Sequence, residues 1–470
     1  MRPSVNHRSL RLEEDKLTHA QRRYIEDFSK RYSEKFKNSK KWIEENRFIY
    51  CDWMNALTFK KSLKELIFPI FSDNSKGAYF ADIDSNKMLD IAMGYGVNLF
   101  GHNPDFIKNA VAKRLEKGCE LGPQLKMSAE VASLISELTG VERVAFCNSG
   151  TEAIMTAIRI ARAKTGKNKI VIFAGSYHGT FDPVLAYNYQ GETFPVSLGT
   201  PESLTKDTYV LVYNANESLE FIKNHLDEIG AVICEPVQSR NPGLRAGKFL
   251  QELRDITLNT NTALIFDETI NGFRIHSGGA QAFFSVEADL VVYGKAIGGG
   301  LPISAVAGRS EYMDFLDGGM WKFEDRSTPK NDVIFHAGTY YKHPLSLAAA
   351  KATLLEIKKR GDTLYRSLEN KMDFLAHELN SYFDKFNVPL RLDYCGSMFR
   401  FMGLGDFELS RETIEVDLLF KILIYKGVYT WEKRTCFISD AHTKDDLNLL
   451  VSTMGDGIQE IRTVFEFFKS

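Results

Sequence analysis

The sequence has little cysteine and no long apolar run, and both absences exclude classes of protein. Its 470 residues include six cysteines, at positions 51, 119, 147, 234, 395 and 436. No two of them have the spacing of metal ligands, and nothing indicates a disulfide framework. No stretch approaches the roughly 18 apolar residues of a transmembrane helix, and the first ten residues lack the apolar core of a signal peptide. We therefore expect a cytoplasmic protein with no bound metal and no membrane contact.

The chain also lacks an excess of charge of either sign. Charged residues make up 26% of the sequence, but the formal net charge is only -2. A protein that binds nucleic acid through a global field needs a strong basic surplus, so no nucleic acid partner is expected. The length exceeds that of one ordinary domain and favours two packed lobes.

Two features are recognisable before residue 100. Tyr24, Phe28, Tyr32 and Phe36 recur every four residues within the charge-rich segment 13–47, which predicts one apolar stripe of a helix. Residues 77–92 alternate apolar and polar side chains around a turn-like Asp-Ser-Asn, which predicts a β-hairpin.

From about residue 103 onward, short apolar runs alternate with helical patterns. The predicted helices are 105–117, 127–139 and 151–163, and the predicted strands are 143–147, 169–174, 209–213, 231–234, 263–267 and 290–293. Such alternation indicates βαβ units and therefore an α/β fold with a mainly parallel sheet flanked by helices. The near-continuous apolar runs suit strands that are buried on both faces.

The pattern changes again after about residue 345. One long helical pattern runs to 382, and shorter strand-like and helical segments follow. We predict a large domain over 101–345 and a smaller α+β domain that combines 1–100, the N-terminal helix and hairpin, with 346–470. Residues 317–332, rich in glycine and charge, form either a mobile loop that lines an entrance or an ordinary surface loop.

Lys295 lies just after an apolar run and just before three consecutive glycines, Gly298 to Gly300. Lysine is rarely buried without a function. A lysine amine whose pKa is lowered by its surroundings can form a Schiff base with a carbonyl. Taken alone, the segment also fits an exposed loop charge.

Asp267 stands at the C-terminal end of the apolar run Leu264-Ile265-Phe266. Open α/β sheets bind ligands outside the carboxyl ends of their strands. A carboxylate there is suited to keep a pyridine nitrogen protonated, as the cofactor pyridoxal 5'-phosphate (PLP) requires. A metal ligand or a helix cap is the alternative interpretation.

A third segment, Asn148 to Ala153, follows a predicted strand and opens a predicted helix. Free N–H groups and hydroxyls at a helix N-terminus make an anion site, although an ordinary Ser/Thr cap looks the same. A fourth segment, Ser176 to Gly179, offers an aromatic ring at the same predicted sheet edge. Neither a P-loop nor a dinucleotide fingerprint is present.

Taken together, these segments resemble the class III aminotransferases of PLP fold type I, a family that includes glutamate-1-semialdehyde aminomutase. The segments that carry the resemblance are NSGTEA (148–153), SYHGTFD (176–182), CEPVQS (234–239), DETINGFR (267–274), VYGKAIGGGLPISAVAGR (292–309) and HAGTYYKHPLSLAAA (336–350). The likeness extends over roughly 50–460. It implies a PLP enzyme with the type I fold.

Within that family, the chain is most similar to the aminotransferase domains of hybrid polyketide–peptide synthases. The segments concerned are FGHNPDFI (100–107), GPQLKMSAEVA (122–132), GGAQAFFSVEADL (278–290) and GVYTWEKRTCFISDAHT (427–443). This likeness implies a role in natural-product biosynthesis. The amino acceptor would be a β-keto acyl thioester on an acyl carrier protein, or an aldehyde.

The resemblance also implies roles for individual residues. Lys295 would hold PLP as a Schiff base and carry the proton between the substrate and the cofactor, while Asp267 would pair with the ring nitrogen. Gln238 would bond the phenolic oxygen, and Tyr177 would stack on the ring with His178 beside it.

The phosphate contacts are implied in the same way. Ser149, Gly150 and Thr151 would cradle the phosphate of PLP. Thr339 would reach that phosphate from the neighbouring subunit, since members of the family are homodimers with sites at the interface.

Substrate contacts are implied for four further residues. Glu268 and Arg274 follow Asp267 in the same motif, although Arg274 also fits a helix-side charge with a local partner. In the tail, alignment on the phenylalanine places Arg434 where the aminomutases carry a glutamate, which argues against aminomutase activity. Glu432 is the other candidate in this stretch.

These observations predict an enzyme that passes an amino group from an amino acid donor to a carbonyl acceptor. The alternatives are an intramolecular aminomutase of the glutamate-1-semialdehyde type and, from another class, a non-catalytic PLP-binding scaffold.

Overall fold

The aromatic stripe near the N-terminus is helical, as predicted. The computed structural model describes residues 16–53, 59–404, 413–431 and 434–465. The first of these ranges contains α1 (His19–Lys35) and α2 (Lys37–Asn46). Phe28, Tyr32 and Phe36 are fully buried against the C-terminal part of the chain. Apolar burial thus fixes this charged segment on the body of the protein.

The predicted hairpin is also present. Three antiparallel strands, β1 (Ser72–Lys76), β2 (Tyr79–Asp82) and β3 (Lys87–Asp90), form a meander. The Asp82 carboxylate closes the β2–β3 turn, because one of its oxygens accepts hydrogen bonds from the backbone N–H groups of residues 84 and 86.

The middle of the chain alternates helices and strands. The helices are α3 (Met93–Gly96, a short kinked turn), α4 (Asp105–Leu115), α5 (Lys126–Thr139), α6 (Gly150–Thr165), α7 (Glu202–Thr205), α8 (Asn216–Asn224), α9 (Gly247–Thr257), α10 (Gly279–Phe284) and α11 (Ser310–Met313). The strands are β4 (Arg143–Cys147), β5 (Lys169–Phe173), β6 (Ala186–Tyr189), β7 (Glu192–Pro195), β8 (Thr208–Leu211), β9 (Ile229–Cys234), β10 (Ala263–Glu268), β11 (Leu290–Tyr293) and β12 (Ser304–Gly308).

Seven of these strands form the central sheet, in the order β4-β12-β11-β10-β9-β5-β8. Neighbours from β11 to β8 pair in parallel, whereas β12 is antiparallel to both of its neighbours. The mainly parallel α/β sheet expected from the sequence is therefore confirmed. The sequence pattern did not predict β12, because its small residues SAVAG lack the bulk of a typical strand.

The helical pattern predicted from about residue 345 to 382 is confirmed, but it does not form one continuous helix. Two helices occupy this stretch, α12 (Pro344–Arg360) and α13 (Asp362–Lys385). Gly361 separates them with a φ of +49°, a left-handed conformation that glycine adopts readily. The chain turns there, so α12 packs on α4 and α5 while α13 packs on the C-terminal strands.

The C-terminal part contains β13 (Leu390–Cys395), β14 (Met398–Gly403), α14 (Ile414–Tyr425), β15 (Val428–Tyr429), β16 (Cys436–Phe437) and α15 (Lys444–Arg462). Strand β15 extends the N-terminal meander beside β3. One continuous apolar core joins residues 25–91 with residues 372–465, and separate cores lie on the two faces of the central sheet. The domain boundaries given above remain a prediction. Within the described ranges, no helix has both the length and the apolar character needed to cross a membrane.

Candidate active site

The carboxyl ends of the parallel strands bring the candidate residues together. In the sheet register, Phe266 of β10 lies opposite Cys234 of β9, so Asp267 and Glu235 are neighbours at the same edge. Strand β11 ends at Tyr293, and Lys295 follows two residues later. Three ionisable groups that are far apart in sequence therefore face one space.

Lys295 is placed there by a sharp turn. It has a φ of +44° and begins a short 3₁₀ helix, Lys295–Gly298. Gly299, with a φ of +55°, ends this helix. A Cβ at Gly299 would lie 2.5 Å from the hydroxyl of Thr353, so the close packing requires glycine.

The amine of Lys295 has a pKa well below the ordinary value for lysine. Burial lowers its pKa to about 8, and the positive charge of Arg274 acts in the same direction. The carboxylates of Glu235 and Asp267 oppose that shift but do not cancel it. The alternative of an exposed loop charge is thus excluded, and a substantial fraction of the amine is neutral near pH 8.

Asp267 is buried and both of its oxygens have partners. One accepts from the backbone N–H and the hydroxyl of Thr269, at 3.1 and 2.6 Å. The other lies 2.8 Å from Nδ1 of His178, which is also buried. These contacts fix the carboxylate in one orientation. Among the described residues, no group of three or more potential metal ligands is found.

Glu235 also lies at this site, although no role was predicted for it from the sequence. It is fully buried, and burial raises its pKa to about 6. One of its oxygens accepts from the backbone N–H of Tyr177 at 3.3 Å. Its negative charge raises the pKa of Lys295, so it lies close to the amine. A sequence signal for Glu235 was available, since it directly follows the apolar run of β9, just as Asp267 directly follows the apolar run of β10.

The phosphate candidates lie at the N-terminus of α6. Ser149 caps this helix in a capping box with Glu152: its hydroxyl accepts from the Glu152 N–H, and the Glu152 carboxylate accepts from the Ser149 N–H. The cap leaves the N–H groups of Gly150 and Thr151 available to an anion. The hydroxyl of Thr151 accepts from the backbone N–H of Thr180 at 3.1 Å, which ties the helix start to the loop after β5.

Tyr177 and Gln238 flank the same edge. The Tyr177 side chain is 49% exposed, so its ring is accessible to a flat ligand. Gln238 is buried, and its amide nitrogen donates to the carbonyl oxygen of Ala174 and the hydroxyl of Ser176, both at 2.9 Å. These bonds hold the side chain beside the Tyr177 loop.

Glu268 does not face this space, contrary to the substrate contact expected from the sequence. Successive side chains of a strand point to opposite faces, so Glu268 points away from the side of Asp267. Its carboxylate accepts from the N–H groups of Ala280 and Gln281, at 2.6 and 3.2 Å. Burial raises its pKa to about 8. Its role is to bind the start of α10.

Arg274 is also enclosed by protein rather than open to a substrate. Its guanidinium donates to the hydroxyl of Ser397 at 2.8 Å and to the backbone carbonyls of Gly96 and Ile438. It lies over the ring of Phe437, 5.0 Å from the centroid. The residue links the segment after β10 to the C-terminal strands, and its positive charge lowers the pKa of Lys295.

Thr339 lies apart from the other phosphate candidates within this chain. It is exposed and lines a cavity of about 860 Å³ together with residues of 120–146 and 313–342. That lining includes none of the residues 149–151 and not Lys295. Part of the irregular stretch 317–332 borders the same cavity, where Asp317 is paired with Arg143.

Of the two candidates in the tail, Glu432 lies outside the described residues. Arg434 is half-buried, and its guanidinium lies 5.2 Å from the centre of the Trp431 ring. It lies close enough to Arg400 for its positive charge to lower the pKa of that guanidinium.

The arrangement fits PLP. The open N–H groups at the start of α6 suit its phosphate, the buried and oriented carboxylate of Asp267 suits its ring nitrogen, and the weakly basic amine of Lys295 suits its aldehyde. Each of these three groups lies at the same edge of the sheet.

Comparison with known proteins gives a consistent answer. The family model described as Aminotransferase class-III matches residues 61–430. A glutamate-1-semialdehyde 2,1-aminomutase 2 from Lachnoclostridium phytofermentans is 34% identical over 394 residues, 81% of this chain and 89% of that protein. A glutamate-1-semialdehyde 2,1-aminomutase from Flavobacterium psychrophilum is 36% identical over 400 residues, 82% and 90% of the two chains.

A solved structure is similar over nearly the whole chain. The crystal structure of an omega-transaminase from Sphaerobacter thermophilus superposes with a TM-score of 0.80 at 26% identity, and covers 90% of this chain and 98% of that one.

Proposed function

Because this chain belongs to the class III aminotransferase family, we propose that it passes an amino group from an amino acid donor to a separate carbonyl acceptor. The type I fold and the dependence on PLP follow from the family, and so does enzymatic activity. The alternative of a non-catalytic scaffold is thereby set aside. In the proposed reaction, the donor leaves as a 2-oxo acid and the carbonyl acceptor leaves as an amine.

The residues of the sheet edge divide the chemistry among them. PLP, when bound, supplies an electron sink for the bond that breaks at the substrate carbon. Lys295 would hold it and move the proton at that carbon, while Asp267 would keep the ring nitrogen charged. Tyr177 would cover the ring with His178 behind it, and Gln238 would meet the phenolic oxygen.

The phosphate would be held by residues 149–151 at the start of α6. Class III aminotransferases are commonly dimeric, and we propose that Thr339 completes this cradle in the partner subunit of a homodimer. The placement of Thr339 away from the cradle of its own chain supports this part of the proposal.

One observation favours transfer between two molecules over transfer within one. The position at which the aminomutases carry a glutamate is Arg434 here, packed on Trp431 beside a second arginine. Two positively charged side chains in place of a glutamate suit a substrate other than that of the aminomutases. Under this proposal, the acceptor is a β-keto acyl thioester on a carrier protein, or an aldehyde, in natural-product biosynthesis.

The second candidate is an intramolecular aminomutase. Its support is the name shared by the relatives at 34% and 36% identity, neither of which is described as a synthase domain. By this comparison alone, the second candidate is better supported than the first. The two differ in one requirement, because an aminomutase needs no external donor.

That requirement can be measured directly. We expect amino acids, tested one by one with the PLP-loaded enzyme, to bleach its visible absorbance band and to release one 2-oxo acid per site. A carbonyl acceptor should then restore the band. If no amino acid does this, while glutamate-1-semialdehyde alone is isomerised, the proposed function is wrong and the aminomutase is correct.

The acidity of Lys295 predicts how cofactor loading depends on pH. Only the neutral amine attacks an aldehyde, and its pKa is lowered to about 8. The rate at which the cofactor-free enzyme takes up PLP should therefore rise about tenfold per pH unit below pH 8 and level off above it. Stopped-flow absorbance measures this rate. A profile that keeps rising beyond pH 10 would mean that the amine has its ordinary basicity.

A further inference from the structure

Three arginines meet on one side of the candidate site. Arg400 lies on β14, Arg240 follows the candidate cofactor contact Gln238 by two residues, and Arg434 precedes β16. One guanidinium nitrogen of Arg400 donates to the backbone carbonyl of Arg240 at 3.2 Å. The hydroxyl of Thr435 donates to the carbonyl of Ser239 and so joins the Arg434 segment to the same turn.

Among the residues that the structure describes, the charge of Arg400 has no counter-charge. Burial and, to a smaller extent, the positive charges of Arg240 and Arg434 together lower the pKa of its guanidinium to about 10. Within the described ranges, no carboxylate pairs with Arg400. The one nearby acid that opposes the shift is the thiol of Cys436, but burial raises the pKa of that thiol to about 12 and keeps it neutral.

Elsewhere the same chain compensates a buried arginine. Arg254, buried under the central sheet, lies 2.9 Å from the Asp289 carboxylate. Arg274 has no carboxylate partner within the described ranges and instead donates to a hydroxyl and two carbonyls. Arg400 differs from both, because within the described part of the chain its guanidinium donates to one carbonyl alone and lies beside the exposed side chain of Arg240. A partly buried cation that stays open to solvent and unmatched is suited to receive an anion.

Aromatic side chains define the adjoining wall. Tyr95 and Trp53 both pack on Trp431, with ring centroids 4.2 and 6.2 Å away, and Arg434 lies over the same indole. The arginine cluster is thus bordered by a group of aromatic rings on the side of Arg434.

We propose that Arg400, with Arg240 and Arg434, binds an anionic group of the substrate that is remote from the reacting carbon. This inference rests on the proposed function and specifies which substrates that site selects. The anion is either the side-chain carboxylate of a dicarboxylic amino acid donor or the phosphate of a pantetheine arm that carries the acceptor. Both offer oxygens to the fork of a guanidinium.

Binding measurements can test this without turnover. Titration calorimetry on the PLP-loaded enzyme should compare two pairs that differ by one anionic group, glutarate with glutaramate and 4'-phosphopantetheine with pantetheine. The parent should prefer the charged member of at least one pair. In Arg400→Gln that preference should fall about tenfold or more, the effect expected for one charge-assisted contact. Arg400→Lys should recover part of it.

A matched control lies on the neighbouring strand. Arg391 of β13 is exposed and paired with Asp393, so Arg391→Gln should leave the preference unchanged. The pair that loses its preference in Arg400→Gln identifies the source of the anion. If neither pair loses it, or if charged and neutral members weaken alike, the anion site is refuted.

The same variants separate this inference from the proposed function. In half-reactions followed by absorbance, glutamate and glutamine should both bleach the parent, and the ratio of their kcat/KM values should fall in Arg400→Gln. If no donor bleaches the parent, the proposed function fails. If donors bleach the parent but the ratio is unchanged and the phosphate pair also shows no effect, only the anion site fails.

Discussion

Lys295→Ala should reduce turnover by about 10³-fold or more while the protein stays folded. The Lys295 amine has a pKa lowered to about 8, which suits the covalent and proton-transfer roles proposed for it, and alanine offers no group for either role. The fold should survive because the two neighbouring carboxyls keep other partners: Asp267 is held by Thr269 and His178, and Glu235 accepts from the backbone N–H of Tyr177. Steady-state turnover and the melting temperature measure the two parts of this expectation.

A second readout does not depend on turnover. Borohydride reduction of the PLP-loaded parent should attach the cofactor to the chain, which mass spectrometry detects, and the Lys295→Ala chain should gain no such mass. Lys248→Ala is the matched control, because Lys248 is exposed on α9 and paired with Glu252. If the Lys295→Ala chain still transaminates at near the parent rate, the assignment of Lys295 is wrong.

The sequence alone predicted the two central residues for a physical reason. Buried parallel strands are recognisable as apolar runs, and the first polar residue after such a run must lie at the carboxyl edge of the sheet. Asp267 and the segment before Lys295 both follow runs of this kind. Glu235 is likewise the first polar residue after the apolar run of β9, so its position near Lys295 could have been predicted in the same way.

Other features depend on contacts that no local pattern contains. The alternation of side chains along β10 was enough to predict that Glu268 points to the face opposite Asp267. Its hydrogen-bond partners on α10 could not be predicted, because they lie twelve and thirteen residues further along the chain. One glycine inside a helical pattern costs only about 1 kcal/mol, so the break at Gly361 could not be told from a continuous helix. Arg240 and Arg400 are 160 residues apart, and only the packing of β14 brings them together.

Asp267→Asn should slow the first half-reaction by about 10²-fold or more, while PLP remains bound. The buried carboxylate would supply the negative charge that keeps the ring nitrogen of PLP protonated, and a neutral amide of the same shape cannot. Its two oxygens are fixed by Thr269 and His178, so the amide would be held in nearly the same place. The experiment therefore tests charge rather than shape. Single-turnover absorbance after the addition of an amino donor gives the rate, and the retained cofactor band shows that binding survives.

The adjacent carboxyl group provides the control. Burial raises the pKa of Glu268 to about 8, so at pH 7 this side chain is mostly protonated and Glu268→Gln removes little charge, although an amide NH2 replaces one of the two oxygens that accept from α10 and should lower the melting temperature. Glu268→Gln should therefore change the half-reaction rate little, since its partners are the backbone of α10. Its folded-state pKa is raised, so the stability that protonation of Glu268 adds is full below the ordinary glutamate pKa and is lost as the pH rises through 8. The two substitutions thus remove one carboxyl each from consecutive positions of the same strand. If both variants slow the reaction equally, or if Asp267→Asn keeps the parent rate, the charge of Asp267 is not what activates the cofactor.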